Sequence, residues 1–247
     1  MRLTVIGSGD AFGSGARFHT CFHVAAAFTI LIDCGASSMI ALRAANVDPN
    51  AIDGILLSHL HGDHFGGLPF FLLAAQYATR RERPLLIAGP PGTKTRVHAL
   101  LEAMFPGLQS GTKWRFAWEV VEIDVGRPRD FLGFTVTSAE VIHYSGAPST
   151  ALRVTDGRKT LSYSGDTQWT EALLPIADGA DLFIVECFEY ERELTGHLTW
   201  KIIRERMADF AARRIMVTHM GATVLARHDE IRTAGVLVAE DGLVIDL

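Results

Sequence analysis

The chain is poor in cysteine, in net positive charge and in long apolar runs, and each shortage closes off a class of protein. Only Cys21, Cys34 and Cys187 occur in 247 residues. They form no C-x-x-C pair, so neither a disulfide framework nor a zinc ribbon is expected. The formal charge of -5 argues against a broad basic surface for nucleic acid. The cluster Arg80-Arg81-Glu82-Arg83 reads as a solvated helix end, with a local basic patch as the alternative. No apolar stretch reaches the length of a membrane span, since even the run from Leu68 to Ala75 stops at Gln76. Met1-Arg2-Leu3-Thr4 leads straight into strand-like sequence and not into a signal peptide, so a cytoplasmic protein without a membrane partner is expected.

What the chain does have is core-forming material and one dense polar segment. A hydrophobic content of 48% is enough for a large core, and the length suits a single domain over residues 1–247. No linker, low-complexity tract or short-period repeat interrupts it. Short β-rich runs predict strands over 3–6, 21–25, 29–33, 52–58, 85–88, 116–123, 134–143, 151–155, 160–164, 182–187, 215–218 and 243–246. Helices are expected over 37–45, 67–80, 93–104, 170–177, 199–212 and 227–234. Two strand-rich halves, each with outer helices, point to an α/β fold built as a four-layer αββα sandwich.

The segment Ser58-His59-Leu60-His61-Gly62-Asp63-His64-Phe65-Gly66-Gly67 places three imidazoles and a carboxylate directly after the apolar run Ile55-Leu56-Leu57. Mixed nitrogen and oxygen donors suit a borderline ion. Zinc is expected, with manganese or iron as alternatives, whereas calcium or magnesium would call for an oxygen-only shell. In an extended loop His59 and His61 can point the same way while Asp63 and His64 diverge, which suits two neighbouring ions. Three further polar residues sit just past apolar strands: His143, Asp166 and His219. Loops at one end of a sheet converge, so these complete a seven-ligand set. His59, His61 and His143 would hold one ion, Asp63, His64 and His219 the other, with Asp166 bridging.

In order and spacing, the H-x-H-x-D-H segment, His143, the Ser-Gly-Asp-Thr segment around Asp166 and the pair Thr218-His219 resemble the metallo-β-lactamase superfamily over nearly the whole chain. Gly196-His197-Leu198-Thr199 is similar to the Gly-His-Ser-Thr segment of its ribonuclease Z branch, and Glu186 matches the glutamate of that branch's His-Glu-Ala-Thr segment. Here the latter segment reads Val185-Glu186-Cys187-Phe188, so only the glutamate is retained. In most members of the branch a long arm for the tRNA elbow lies between the positions of His143 and Asp166. Only 22 residues separate the two here, and they read as a strand pair. The resemblance thus implies the fold, two divalent ions and a possible homodimer, but without that arm.

A metal-bridging hydroxide, formed because two cations about 3.5–4 Å apart acidify a shared water, would attack an ester in line. Asp63 is placed to orient the nucleophile as well as to ligate. His197 lies outside the ligand set and becomes the candidate to protonate the leaving oxygen or stabilise its charge, with Glu186 orienting its ring. The plainer reading makes His197 a cap for the helix from Thr199.

Weaker signals surround this core. Gly7-Ser8-Gly9-Asp10-Ala11-Phe12-Gly13 lacks dinucleotide spacing and, by the resemblance, borders the site. His19, His23, His98 and His228 are read as structural or solvated. Asp33 either supports a ligating histidine or caps a turn. Ser145, Ser149 and Thr150 offer hydroxyls to a phosphate or are ordinary loop residues.

The resulting expectation is a dinuclear metal-dependent hydrolase, a phosphodiesterase acting on small or cyclic phosphodiesters. The alternatives are an RNA-processing endoribonuclease of ribonuclease Z type, with RNA as the partner, or a non-hydrolytic binding protein on the same fold.

Overall fold

The computed structural model describes residues 1–247. Fourteen strands fall into two seven-stranded sheets. The first contains β1 (Arg2–Gly7), β2 (Cys21–Ala25), β3 (Thr29–Ile32), β4 (Gly54–Leu56), β5 (Leu85–Gly89), β6 (Trp118–Glu122) and, at its other edge, β14 (Val244–Asp246). The second runs from β7 (Arg129–Phe131) through β8 (Phe134–Glu140), β9 (Thr150–Thr155), β10 (Thr160–Tyr163), β11 (Leu182–Glu186) and β12 (Ile215–Thr218) to β13 (Leu237–Val238). In both sheets one part is antiparallel, built from local hairpins and, in the first sheet, from β14 laid against β1. The other part is parallel: β3 to β6 in the first sheet and β10 to β13 in the second.

Alternation along the strands builds the layers. On β3, Ile30 and Ile32 face the second sheet while Leu31 packs against helices; on β11, Leu182 and Ile184 face inward and Phe183 and Val185 outward. Three separate buried clusters result, of 22, 21 and 20 residues: helices on sheet, sheet on sheet, and sheet on helices. Three interfaces need four layers, so the αββα order expected from the sequence is present. The first outer layer includes Ser38–Ala44, Leu68–Leu73 and Thr93–Met104, and the last includes Leu173–Ala177, Trp200–Arg206 and His228–Thr233.

Several boundaries differ from the sequence reading for identifiable reasons. The helix expected over 67–80 is α-helical only over Leu68–Leu73 and widens to a π turn over Ala74–Ala78, closed by Thr79 N–H donating to the Ala74 carbonyl. Beyond it Arg81 turns inward and is almost fully buried. This corrects its reading as a solvated helix end. Its guanidinium donates to the carbonyls of Pro49, Asn50, Ile52, Arg83 and Pro84, a set of five acceptors that no sequence pattern announces. The helix expected over 199–212 stops at Arg206, and after a 3-10 turn Phe210 is drawn into the core. The short edge strands β7 and β13 were not anticipated.

Residues 144–165 hold the end of one loop and the pair β9 and β10, joined antiparallel. No helix is long and apolar enough to cross a membrane.

Candidate metal centre

The C-terminal ends of strands from both sheets meet at one edge of the sandwich. Asp33 follows β3, the His59–His64 segment follows β4, His143 follows β8, Asp166 follows β10, Glu186 ends β11 and His219 follows β12. The chain must leave each strand sharply, and the backbone shows it. Gly165, directly before Asp166, has φ +58, and a Cβ there would stand 2.6 Å from the Thr150 carbonyl oxygen, so only glycine fits. Asp33 and His219 adopt positive φ, 59° and 56°, although neither is glycine. Such strain persists only where the surroundings over-determine it.

All seven predicted ligand residues converge here. Potential donor atoms of His59, His61 and His143 lie within 4.8 Å of one another, as do those of Asp63, His64, Asp166 and His219. Asp166 Oδ2 stands between the groups: 3.7 Å from His59 Nε2, 3.9 Å from His143 Nε2, and 3.3 Å from both His64 Nε2 and His219 Nε2. Asp63 Oδ2 is 3.3 Å from His64 Nε2 and 3.2 Å from His219 Nε2. Two donors held about 2.1 Å from one tetrahedral ion stand about 3.4 Å apart, so these spacings fit shared cations.

Hydrogen bonding on the far side of the rings aims the free nitrogens inward. His64 donates from Nδ1 to Asp33 Oδ2 at 2.7 Å. Ser58 Oγ donates to the same oxygen at 2.8 Å, and His59 Nδ1 lies 3.0 Å from that hydroxyl. One buried carboxylate therefore orients two imidazoles, which answers the question of whether Asp33 supports a histidine or merely caps a turn. His143 donates from Nδ1 to the Gly196 carbonyl at 2.8 Å. The inward atoms His59 Nε2, His64 Nε2 and Asp166 Oδ1 are buried without any hydrogen-bond partner. A buried polar atom without a partner is costly, and a bound cation is what this donor set would satisfy.

Electrostatics divide the cluster. Burial holds His59, His61 and His143 below the ordinary imidazole range, so these three rings are neutral. Burial also opposes charge on His219, but Asp166 and Asp63 outweigh it and push its pKa up to about 9. For Asp166, burial is outweighed by His219 and His64, and the carboxyl lies well below its usual range.

His197 stands outside the seven. Its Nδ1 donates to Glu186 Oε1 at 3.0 Å, and its ring lies 4.9 Å from His143 and 5.6 Å from His219. Glu186 is fully buried and also accepts from the Thr167 amide at 2.7 Å, so it is fixed from two sides. Burial alone would lower the His197 pKa, but the bond to Glu186 raises it. Capping of the following helix falls to Thr199, whose Oγ1 accepts from the Ile202 amide at 3.2 Å, so His197 is not the cap.

Ser145 and Ser149 bond to each other at 2.9 Å and Thr150 donates to the Ser58 carbonyl at 2.7 Å, so these hydroxyls brace the loop. His19, His23, His98 and His228 lie outside the cluster. Sequence reasoning missed Ser58, the Gly196 carbonyl and Phe188, whose ring packs 4.9 Å from His197. The only available signal for Ser58 was its place next to His59.

The family model described as "Anti-Pycsar protein Apyc1" matches residues 1–239. The chain belongs to that family. Among curated relatives of this Apyc1-family chain, the ribonuclease Z of Mycobacterium sp. (strain KMS) is 31% identical over 196 residues, covering 74% of this chain and 67% of the relative. Among solved structures, the metallo-β-lactamase fold protein YhfI from Bacillus subtilis matches with a TM-score of 0.79 at 24% identity, covering 99% of each chain. The short form of human tRNase Z matches at 0.79 and 23%, covering 100% of this chain and 99% of that one. The Apyc1-family chain therefore has the metallo-β-lactamase fold, in its ribonuclease Z-like branch, and is a metallo-hydrolase.

Proposed function

We propose that this metallo-hydrolase is a dinuclear phosphodiesterase that cleaves small or cyclic phosphodiesters. The observation that carries the reading is Asp166 Oδ2 lying 3.3 to 3.9 Å from four imidazole nitrogens. His59, His61 and His143 would hold one ion and Asp63, His64 and His219 the other, with Asp166 between them. Zinc suits the donors best, and manganese or iron would also fit. Bound together, two such ions lower the pKa of water and clamp the oxygens of an in-line displacement.

The chain's own residues supply position and protons. Asp63 orients the attacking water. His197 has Nδ1 committed to Glu186, which leaves Nε2 to meet the oxygen departing from phosphorus, as a proton donor or as a partner for its growing charge. Glu186 acts through His197 as a positioning residue. A binding protein on this fold would have no use for a complete donor set together with an acid outside it.

The preference for small diesters is supported by residues 144–165, which consist of a loop and a strand pair with no protruding arm. The net charge of -5 adds little long-range attraction for a polyanion. Processing of precursor tRNA is the second reading, favoured by the likeness to the mycobacterial ribonuclease Z. Comparing kcat/KM for bis-p-nitrophenyl phosphate, cyclic nucleotides and a precursor tRNA on zinc- and manganese-loaded protein, at low and physiological salt, decides between them. Efficient turnover of the small diesters with weak, salt-sensitive cleavage of the tRNA is expected. Salt-tolerant cleavage at the tRNA 3′ junction would overturn the preference, and no hydrolysis of any diester would overturn the phosphodiesterase.

A further inference from the structure

Hydrogen bonds behind the rings aim three of the imidazoles at the centre. His64 Nδ1 is held by Asp33, His59 Nδ1 by the Ser58 hydroxyl and His143 Nδ1 by the Gly196 carbonyl. His219 has no such support. Its Nδ1 is buried without a partner, while its Nε2 stands 3.2 Å from Asp63 Oδ2 and 3.3 Å from Asp166 Oδ2. The rings of His64 and His197, 5.4 and 5.6 Å away, flank it without supplying that partner. His219 is therefore aimed by its backbone, which takes the strained φ of 56°.

That backbone is pinned by Ser8. The Ser8 carbonyl accepts from the His219 amide at 3.1 Å and from the Thr218 hydroxyl at 3.4 Å. Ser8 itself is fully buried in a tight passage: a Cβ on Gly7 would stand 1.9 Å from the His19 carbonyl oxygen, and one on Gly9 2.9 Å from that of Arg17. The turn between β13 and β14 holds Ser8 in place. Asp241 Oδ1 accepts from the Ser8 amide and from the Ser8 hydroxyl, each at 2.8 Å, and Oδ2 accepts from the Phe18 amide at 2.8 Å. Arg17 closes the clamp by donating to the Ser8 hydroxyl at 3.1 Å and to the Ala239 carbonyl. Bonds to an ionised carboxylate are the strong ones, and here they fix position. Through one residue, a carboxylate of an exposed turn reaches a buried imidazole.

We propose that Asp241 is a positioning residue for His219, acting through the Ser8 carbonyl, and so governs how tightly the ion beside Asp63 is held. This rests on the two-ion reading.

The test measures stepwise zinc affinity by competition with a chromogenic chelator, and stability by urea melting, on wild type, Asp241→Ala, His219→Ala and the double variant. Asp241→Ala is expected to weaken one of the two zinc steps about tenfold, as loss of support behind a ligand does. His219→Ala should weaken the same step further, and adding Asp241→Ala to it should change neither step, because the two act as one unit. Asp181→Ala is the control: it strips the Lys159 ammonium and the Thr160 amide of a carboxylate at the opposite end, so it should lower the melting midpoint and leave both zinc steps as in wild type. If Asp241→Ala does not fold, Asp241→Ser, too short to reach both Ser8 and Phe18, takes its place in the same cycle. Zinc steps unchanged by the Asp241 substitution, or weakened by the same factor with and without His219, would overturn the proposal and leave the two-ion reading standing. A single zinc step in wild type would remove both.

Discussion

The two ends of the strand sandwich treat buried polar atoms in opposite ways. At the N-terminal ends of β4 and β5 lies a cavity of about 620 Å³, lined by Phe28, Leu86, Trp118 and Leu132 and by the ion pair of Asp53 and Arg83. Beneath it Arg81 is buried, and its charge is answered by five carbonyls of the chain itself. At the C-terminal ends the cavity beside His197 is about 300 Å³, yet imidazole and carboxylate atoms are buried nearby with no partner. The difference teaches that empty volume does not mark this protein's chemistry. The reactive end is the one whose polar atoms are aimed and left unpaired; the other is structurally complete.

The sharpest break of that contrast is to remove the shared oxygen or the ions. Asp166→Ala, or dialysis against a chelator, is expected to abolish hydrolysis, and elemental analysis should find the variant below the roughly two ions per chain that a shared carboxylate implies. A wild type that never exceeds one ion under metal-replete conditions would defeat the two-ion reading. Next in size, His197→Ala should keep its metal but lose roughly 10²- to 10⁴-fold in kcat, the scale of an acid or oxyanion group. An unchanged kcat would end its assigned role.

At the opposite end, Arg81→Ala should strip five carbonyls of their donor and cost about 3 kcal/mol in a urea melt. Metal content and kcat of the folded fraction should stay as in wild type; a specific loss of turnover would blur the division between the ends. Asp33→Ala probes the orientation of His59 and His64 and is expected to weaken metal affinity about 10- to 100-fold, read by competition with a chromogenic chelator. Smallest of all, Arg2→Ala removes an exposed pair with Asp246, and the melting midpoint should not move measurably.

Much of the reactive end was legible because its donors are local. Four of the seven lie within six consecutive residues, and the other three each follow an apolar run that reads as a strand. The αββα order was equally legible, since two strand-rich halves each carry outer helices, although on all-apolar strands such as β3 and β11 only the packing separates inner from outer faces. Arg81 was not. In sequence it belongs to a run of charges, and only the turn after the π segment brings five carbonyls within its reach. The strands β7 and β13, three and two residues long, are too short for a period to show.

By itself, then, the sequence determined residue chemistry and periodicity: which side chains can ligate, which segments bury, and that no arm interrupts residues 144–165. Only the tertiary structure decided partnership across distance. His64 meets Asp33 from 31 positions away and His143 meets the Gly196 carbonyl from 53, while Glu186 fixes His197 across the turn after its strand. It also decided which aromatics stay in water, with Phe22 and Tyr163 packed edge to face between the sheets and Phe12 and Tyr144 left outside. The physical reason is one of range. Period and composition are local properties of a chain, whereas hydrogen-bond pairing and burial depend on where other segments arrive.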